Sequence, residues 1–121
     1  MKTIATDSLT ASSQLLKSLA DPVRLRILNL LLDADEICVC HIHEALELAQ
    51  PMVSRHLAYL RKHGLVIGRK EGLWVHYRVA KPKSALHRCV MVCLQTCLND
   101  IGELRRDRER LEKVKSCCDK I

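Results

Sequence analysis

Two cysteines one residue apart, Cys38 and Cys40, sit in the run Ile37-Cys-Val-Cys-His41. Thiolates are soft ligands, suited to soft metal and metalloid ions. Residues two apart share one face of an extended chain but point to nearly opposite faces of a helix. One ion can therefore hold both sulfurs only if the helix start here is unwound or distorted. A helix N-terminus also favours the thiolate, the ligating form. The competing reading is packing, with one cysteine buried as a small apolar residue and the other exposed. Just downstream, Gln50-Pro-Met-Val-Ser-Arg-His-Leu57 opens a segment patterned like a DNA-recognition helix. A soft-ion pair beside a DNA reader, with no room for a domain between them, describes a switch in which the ion changes the grip on DNA.

Five more cysteines follow. Cys89, Cys93 and Cys97 recur every four residues, so on a helix they form one stripe. That stripe fits a metalloid site, above all across a dimer, and fits equally a set of small packing or interface residues. Cys117-Cys118 is a vicinal pair open to soft-ion capture or oxidation. A tail folded back onto the stripe would complete a three-sulfur site. Met1–Ala20 lacks a long apolar leader, and no apolar run is long enough to span a bilayer. A cytosolic, reducing compartment follows, and there seven cysteines point to metal or redox chemistry instead of a disulfide framework.

The chain has 121 residues, which fits one domain over 1–121, and at 48% apolar and 28% charged it has a folded composition. With one Trp, two Tyr and no Phe, its core must come from Leu, Val, Ile and Ala, as in helical proteins. Such a core is small for one chain and leaves a place for a partner subunit. The net charge of +6 favours a polyanionic partner. An enzyme finds no support: His43-Glu44 is followed by Glu47, not by the histidine of a zinc hydrolase motif, and there is no glycine-rich phosphate loop. No organic cofactor is implied.

The elements that must position these groups are readable. Residues 1–7 are polar and expected to fray. A helix over 8–20 carries Leu9, Leu15, Leu16 and Leu19, and Asp21-Pro22 caps and opens a second over 22–32. After a loop at 33–36, a short helix at 40–48 and a turn at Ala49-Gln50 lead to a helix opened by Pro51, ending near His63 before Gly64. This is a helix-turn-helix over 40–63. In the last helix Val53, Leu57 and Leu60 face inward, while Ser54, Arg55 and His56 are candidate base or phosphate contacts, with Gln50 at the entrance and Arg61 further along. The periodicity then becomes alternating. Strands at 66–70 and 74–79, joined through Glu71-Gly72, make a wing over 65–79 with Arg69 and Lys70 near its tip. A final helical segment over 84–115 carries Leu86, Val90, Leu94, Leu98 and Ile101, and 116–121 reads as a flexible tail. The fold class is mainly α with a small β-hairpin, a winged helix-turn-helix of five to six helices.

Four blocks in order carry a resemblance: Asp21-Pro-Val-Arg-Leu-Arg-Ile-Leu28, Ile37-Cys-Val-Cys-His41, Gln50 to Arg61, and Arg69 to Arg78. From about Leu15 to Val79 the chain resembles the ArsR/SmtB metalloregulators, and more closely their arsenic-resistance repressors. The resemblance implies a homodimer joined through its first and last helices, bound to double-stranded operator DNA and released by As(III) or Sb(III). It makes Cys38 and Cys40 the preferred ligands, with Cys89, Cys93, Cys97, Cys117 and Cys118 as alternative or completing ones. The chain departs from the arsenic pattern at one place: a third cysteine three residues after the pair is replaced by His43, and imidazole suits zinc or cadmium better than arsenic. The acid/histidine set of the zinc-sensing branch is not reproduced by His87, Asp100 and Glu103. A cadmium-, lead- or zinc-responsive repressor and a thiol redox sensor remain the alternatives.

Overall fold

In order along the chain run α1 (Leu9–Leu19), α2 (Pro22–Leu32), β1 (Ile37–Cys38), α3 (Val39–Leu46), α4 (Gln50–Lys62), β2 (Val66–Glu71), β3 (Trp74–Val79), α5 (Ala85–Cys97) and α6 (Gly102–Asp119). The computed structural model describes residues 9–119, with side chains through Ser116. The expected frayed start at 1–7 lies outside the described residues.

Local chemistry accounts for most of the boundaries. Asp21 caps α2, its Oδ1 accepting from the amides of Val23 at 2.9 Å and Arg24 at 3.1 Å, with Pro22 in the first turn. Pro51 likewise lies in the first turn of α4. β2 and β3 pair antiparallel from Val66↔Val79 to Glu71↔Trp74, so the turn is Gly72-Leu73, one residue beyond its expected place. Gly72 has φ +64° and is followed by a residue without positive φ, as in a type II′ turn. The core is built by α2, α3, α4 and the sheet, with Ile27, Leu28, Leu30, Ile42, Leu46, Val53, Leu57 and Leu60 all but sealed from solvent. The three residues expected on the inner face of α4 are all there.

The structure corrects three expectations. The sheet has a third strand: β1 pairs antiparallel with β3 through Ile37↔Tyr77 and Cys38↔His76, giving the order β1-β3-β2. A strand of two residues has no readable alternation. The stretch 84–115 is two helices, because α5 stops at Cys97 and Gly102 opens α6 instead of closing the helix before it. Asn99 and Asp100 compete locally for backbone hydrogen bonds, which favours a break. The backbone through Cys117 and Cys118 belongs to α6 and not to a flexible tail, since the Glu-, Lys- and Arg-rich sequence before it is a good helix former.

α6 is fastened to the core by buried charge. Asp107 is fully buried and accepts two hydrogen bonds from Arg26, at 2.8 and 2.9 Å, and a third from Arg110. The hydrogen-bonded carboxylate holds the Arg26 guanidinium above its ordinary value, against the opposing effect of burial. The same arginines reach the end of α3, Arg26 donating to Leu46 O at 2.8 Å and Arg110 to Ala45 O at 2.7 Å. These are carbonyls a helix end leaves without partners. Glu47, the residue after α3, turns in the left-handed region at φ 57°. Leu9 on α1 and Val92 on α5 are exposed, and with Leu16 and Leu86 they form apolar faces outside the monomer's core.

Candidate functional site

Cys38 is the last residue of β1 and the N-cap of α3, with extended backbone at φ −69° and ψ 142°. Cys40 lies in the first turn of the helix. An extended residue followed by a helical one brings their sulfurs together: the Cys40 thiol donates to Cys38 Sγ at 2.9 Å, and the Cys40 amide donates to the same sulfur at 3.4 Å. The expected need to distort the helix start is therefore overturned. Cys38 is excluded from the helix by its capping role, so the two sulfurs lie side by side with α3 undistorted. Metal–thiolate bonds of about 2.3 Å let a single ion reach two sulfurs this close. Cys38 is buried and Cys40 half-buried, so the pair opens to solvent on one side only.

His43 does not replace the missing third sulfur. Its Nδ1 lies 3.2 Å from Leu48 O, at the opposite end of α3. Among the described residues no three His, Cys, Asp or Glu side chains converge as a metal-holding group. Cys89, Cys93 and Cys97 all lie exposed along α5. The hydrogen bond to Cys97 pushes the Cys93 thiol up, which disfavours the thiolate there. The side chains of Cys117 and Cys118 lie outside the described residues.

The thiol pair is joined to both parts of the candidate DNA-facing surface. β1 carries Cys38 into the sheet beside His76 of the wing. Two residues earlier, Glu36 accepts from Arg69 of β2 at 2.6 and 3.0 Å in a bidentate pair, and Arg69 also meets Glu71 at 3.3 Å. α3, which begins at the thiols, packs on α4 through the core. Sequence reasoning missed Glu36; its only signal was a carboxylate two residues before the pair.

The candidate DNA contacts fall into two groups. Gln50, Arg55 and Arg61 of α4 are exposed, Ser54 is half-buried, and Lys70 of the wing is exposed. His56 and Arg69 are engaged elsewhere. His56 Nδ1 is 3.4 Å from Arg24 Nη1, and Arg69 is held by the two glutamates. Arg24 braces α4: its guanidinium lies 4.1 Å over the Tyr59 ring and donates to Ser18 O at 2.7 Å at the end of α1. Tyr59 is further tied by Gln14 Nε2, which donates to its hydroxyl at 3.2 Å. Neither Arg24 nor Gln14 belongs to a pattern that periodicity would single out.

The Arg69 hydrogen bonds hold the Glu36 carboxyl below the usual carboxylate range. A depressed carboxylate stabilises the fold above the ordinary range, and that contribution is lost as pH falls through its lowered value. NMR titration of the Glu36 side chain should give a midpoint below the ordinary carboxylate range; a midpoint within that range would show that the clamp does not persist in solution.

The family described as "Bacterial regulatory protein, arsR family" matches residues 21–67. The arsenical resistance operon repressor of Escherichia coli is 54% identical over 67 residues, which cover 55% of this chain and 57% of the repressor. Thus the matched stretch spans little more than half that relative's length. The arsenic resistance transcriptional regulator ArsR2 of Pseudomonas putida is 42% identical over 80 residues, covering 65% of this chain and 70% of the regulator. Among solved structures, reduced HlyU from Vibrio cholerae superposes with a TM-score of 0.64 at 35% identity, covering 80% of this chain and 97% of that one. Among the described residues no helix is long and apolar enough to cross a membrane.

Proposed function

Because the chain belongs to the arsR family of bacterial regulatory proteins, we propose that it is a homodimeric repressor of a resistance operon that binds operator DNA through α4 and the wing. It releases that DNA when trivalent arsenic or antimony is bound by Cys38 and Cys40. The observation that carries this reading is the 2.9 Å approach of the two sulfurs at the junction of β1 and α3. A soft trivalent ion supplies strong bonds to both thiolates and thereby ties the strand to the helix. Cys38 moves with β1 and the wing, and Cys40 moves with α3, which packs on α4. Any spreading of the sulfurs toward ligand geometry therefore changes the angle between wing and reader. An ion shifts an equilibrium only through different affinities for its two states, so the DNA-bound form must hold the sulfurs less favourably than the free form. The third position of the ion falls to a hydroxide.

The exposed α1 and α5 faces support dimerisation through those two helices, with Cys89, Cys93 and Cys97 as interface residues. α6 is spent on its own protomer's α2 and α3.

Reduced protein bound to a duplex recovered from random sequence should be released by arsenite and antimonite. Release by peroxide alone would favour a redox sensor, and release by cadmium or zinc alone a divalent-metal sensor; either contradicts the arsenic reading. On the same duplex, Arg55→Ala should weaken binding and lower the salt dependence of log K by about 0.9 if it meets one phosphate. Loss of discrimination between duplexes at unchanged salt slope would make Arg55 a base reader instead.

A further inference from the structure

α1, the end of α4 and the start of α5 line a half-open cavity of about 220 Å³. Its walls include Ala11, Leu15, Gln14, His63, Lys83 and His87. His87 is 5% exposed. Its Nδ1 accepts a hydrogen bond from the Lys83 amide at 3.1 Å, which leaves Nε2 to carry the ring proton. That Nε2–H is the buried side-chain polar atom without a hydrogen-bond partner among the described residues. A buried donor left unsatisfied is costly and calls for an explanation.

The surroundings say what would satisfy it. Burial first, and then the Lys83 charge, push His87 down, so the ring is a neutral donor. Ser84 caps α5 by accepting from the His87 amide at 3.1 Å, which puts the positive end of a 13-residue helix at the cavity. Lys83 and His63 are the other ionisable groups of the lining, and no carboxylate is among them. Ala11 and Leu15 supply an apolar wall. The space is below the roughly 300–1,000 Å³ of sites for drug-sized ligands. We infer that this cavity is a binding site for a small organic carboxylate, its oxygen accepting from His87 Nε2–H near Lys83 and its short apolar body lying against Ala11 and Leu15. Gln14 in the same wall donates to the Tyr59 hydroxyl, so occupancy is felt on α4.

The site is independent of both the DNA and the arsenic readings, and its test uses neither. The full-length protein, labelled with 15N, is titrated with sodium butyrate against sodium chloride at equal ionic strength, and the histidine ring signals are followed. The His87 Nε2 resonance should move saturably with butyrate and not with chloride. Lys83→Ala keeps the backbone amide that fixes the ring, and should weaken binding several-fold. His87→Phe, followed through the Ser12 and Ser84 amides, should abolish it. No saturable movement, or an unaltered response in His87→Phe, overturns the inference. So does a ring proton already hydrogen-bonded in the dimer and indifferent to butyrate, because a partner side chain would then fill the cavity.

Discussion

Serine at both Cys38 and Cys40 should leave DNA affinity without arsenite close to that of the unaltered protein and remove the arsenite response. Coupling between two sites in one protein is typically worth 1–3 kcal/mol, a roughly 5–150-fold change in affinity. Arsenite should weaken DNA binding of the unaltered protein by a factor in that range and that of the double variant not at all. Folding should tolerate the change, because Cys38 is a helix cap whose sulfur already accepts from the Cys40 amide at 3.4 Å, and serine is among the preferred capping residues. Anisotropy titrations at one fixed salt concentration make the comparison. A double variant that still lets go of DNA by the full factor would move the inducer site to the α5 stripe or to Cys117 and Cys118.

Asp107→Ala is expected to be the most damaging single substitution for stability. It strips the buried carboxylate from between Arg26, 14% exposed, and Arg110, 28% exposed, leaving them only the longer contacts to the exposed Glu103 at 3.7 Å and Glu47 at 3.9 Å. Breaking a buried pair from one side costs about 3–5 kcal/mol, a large share of the 5–15 kcal/mol that holds a typical domain together. The loss should also loosen α3, because the carbonyls of Ala45 and Leu46 depend on the same arginines. Urea unfolding at one protein concentration reads the difference, and Asp107→Asn, which keeps the shape, separates charge from packing. A fall of less than about 1 kcal/mol would mean that the pair acts as an ordinary surface bridge.

Local signals in the sequence were enough for the reader and the wing. Asp21-Pro22 and Pro51 fixed two helix starts through capping and the proline amide, and alternation marked both strands of the hairpin. What eluded the sequence depends on pairs distant along the chain. Asp107 on α6 meets Arg26 on α2 across a sequence separation of 81, and nothing local distinguishes Asp107 from its charged neighbours. At the thiols, residue spacing located the pair but could not reveal its geometry. That geometry hinges on Cys38 being extended, and it is extended because it pairs with His76 in a strand too short to leave a pattern. His43 stands where a third ligand was sought, yet its ring closes the turn after α3.

On the proposed reading, Cys38 and Cys40 suffice to sense the ion. Its most direct test is a protein in which Cys89, Cys93, Cys97, Cys117 and Cys118 are all serine, titrated with arsenite while bound to its selected duplex. Release complete at one arsenic per chain, accompanied by thiolate-to-arsenic absorbance, is the predicted result. A protein that binds the duplex and keeps it through excess arsenite would contradict the account.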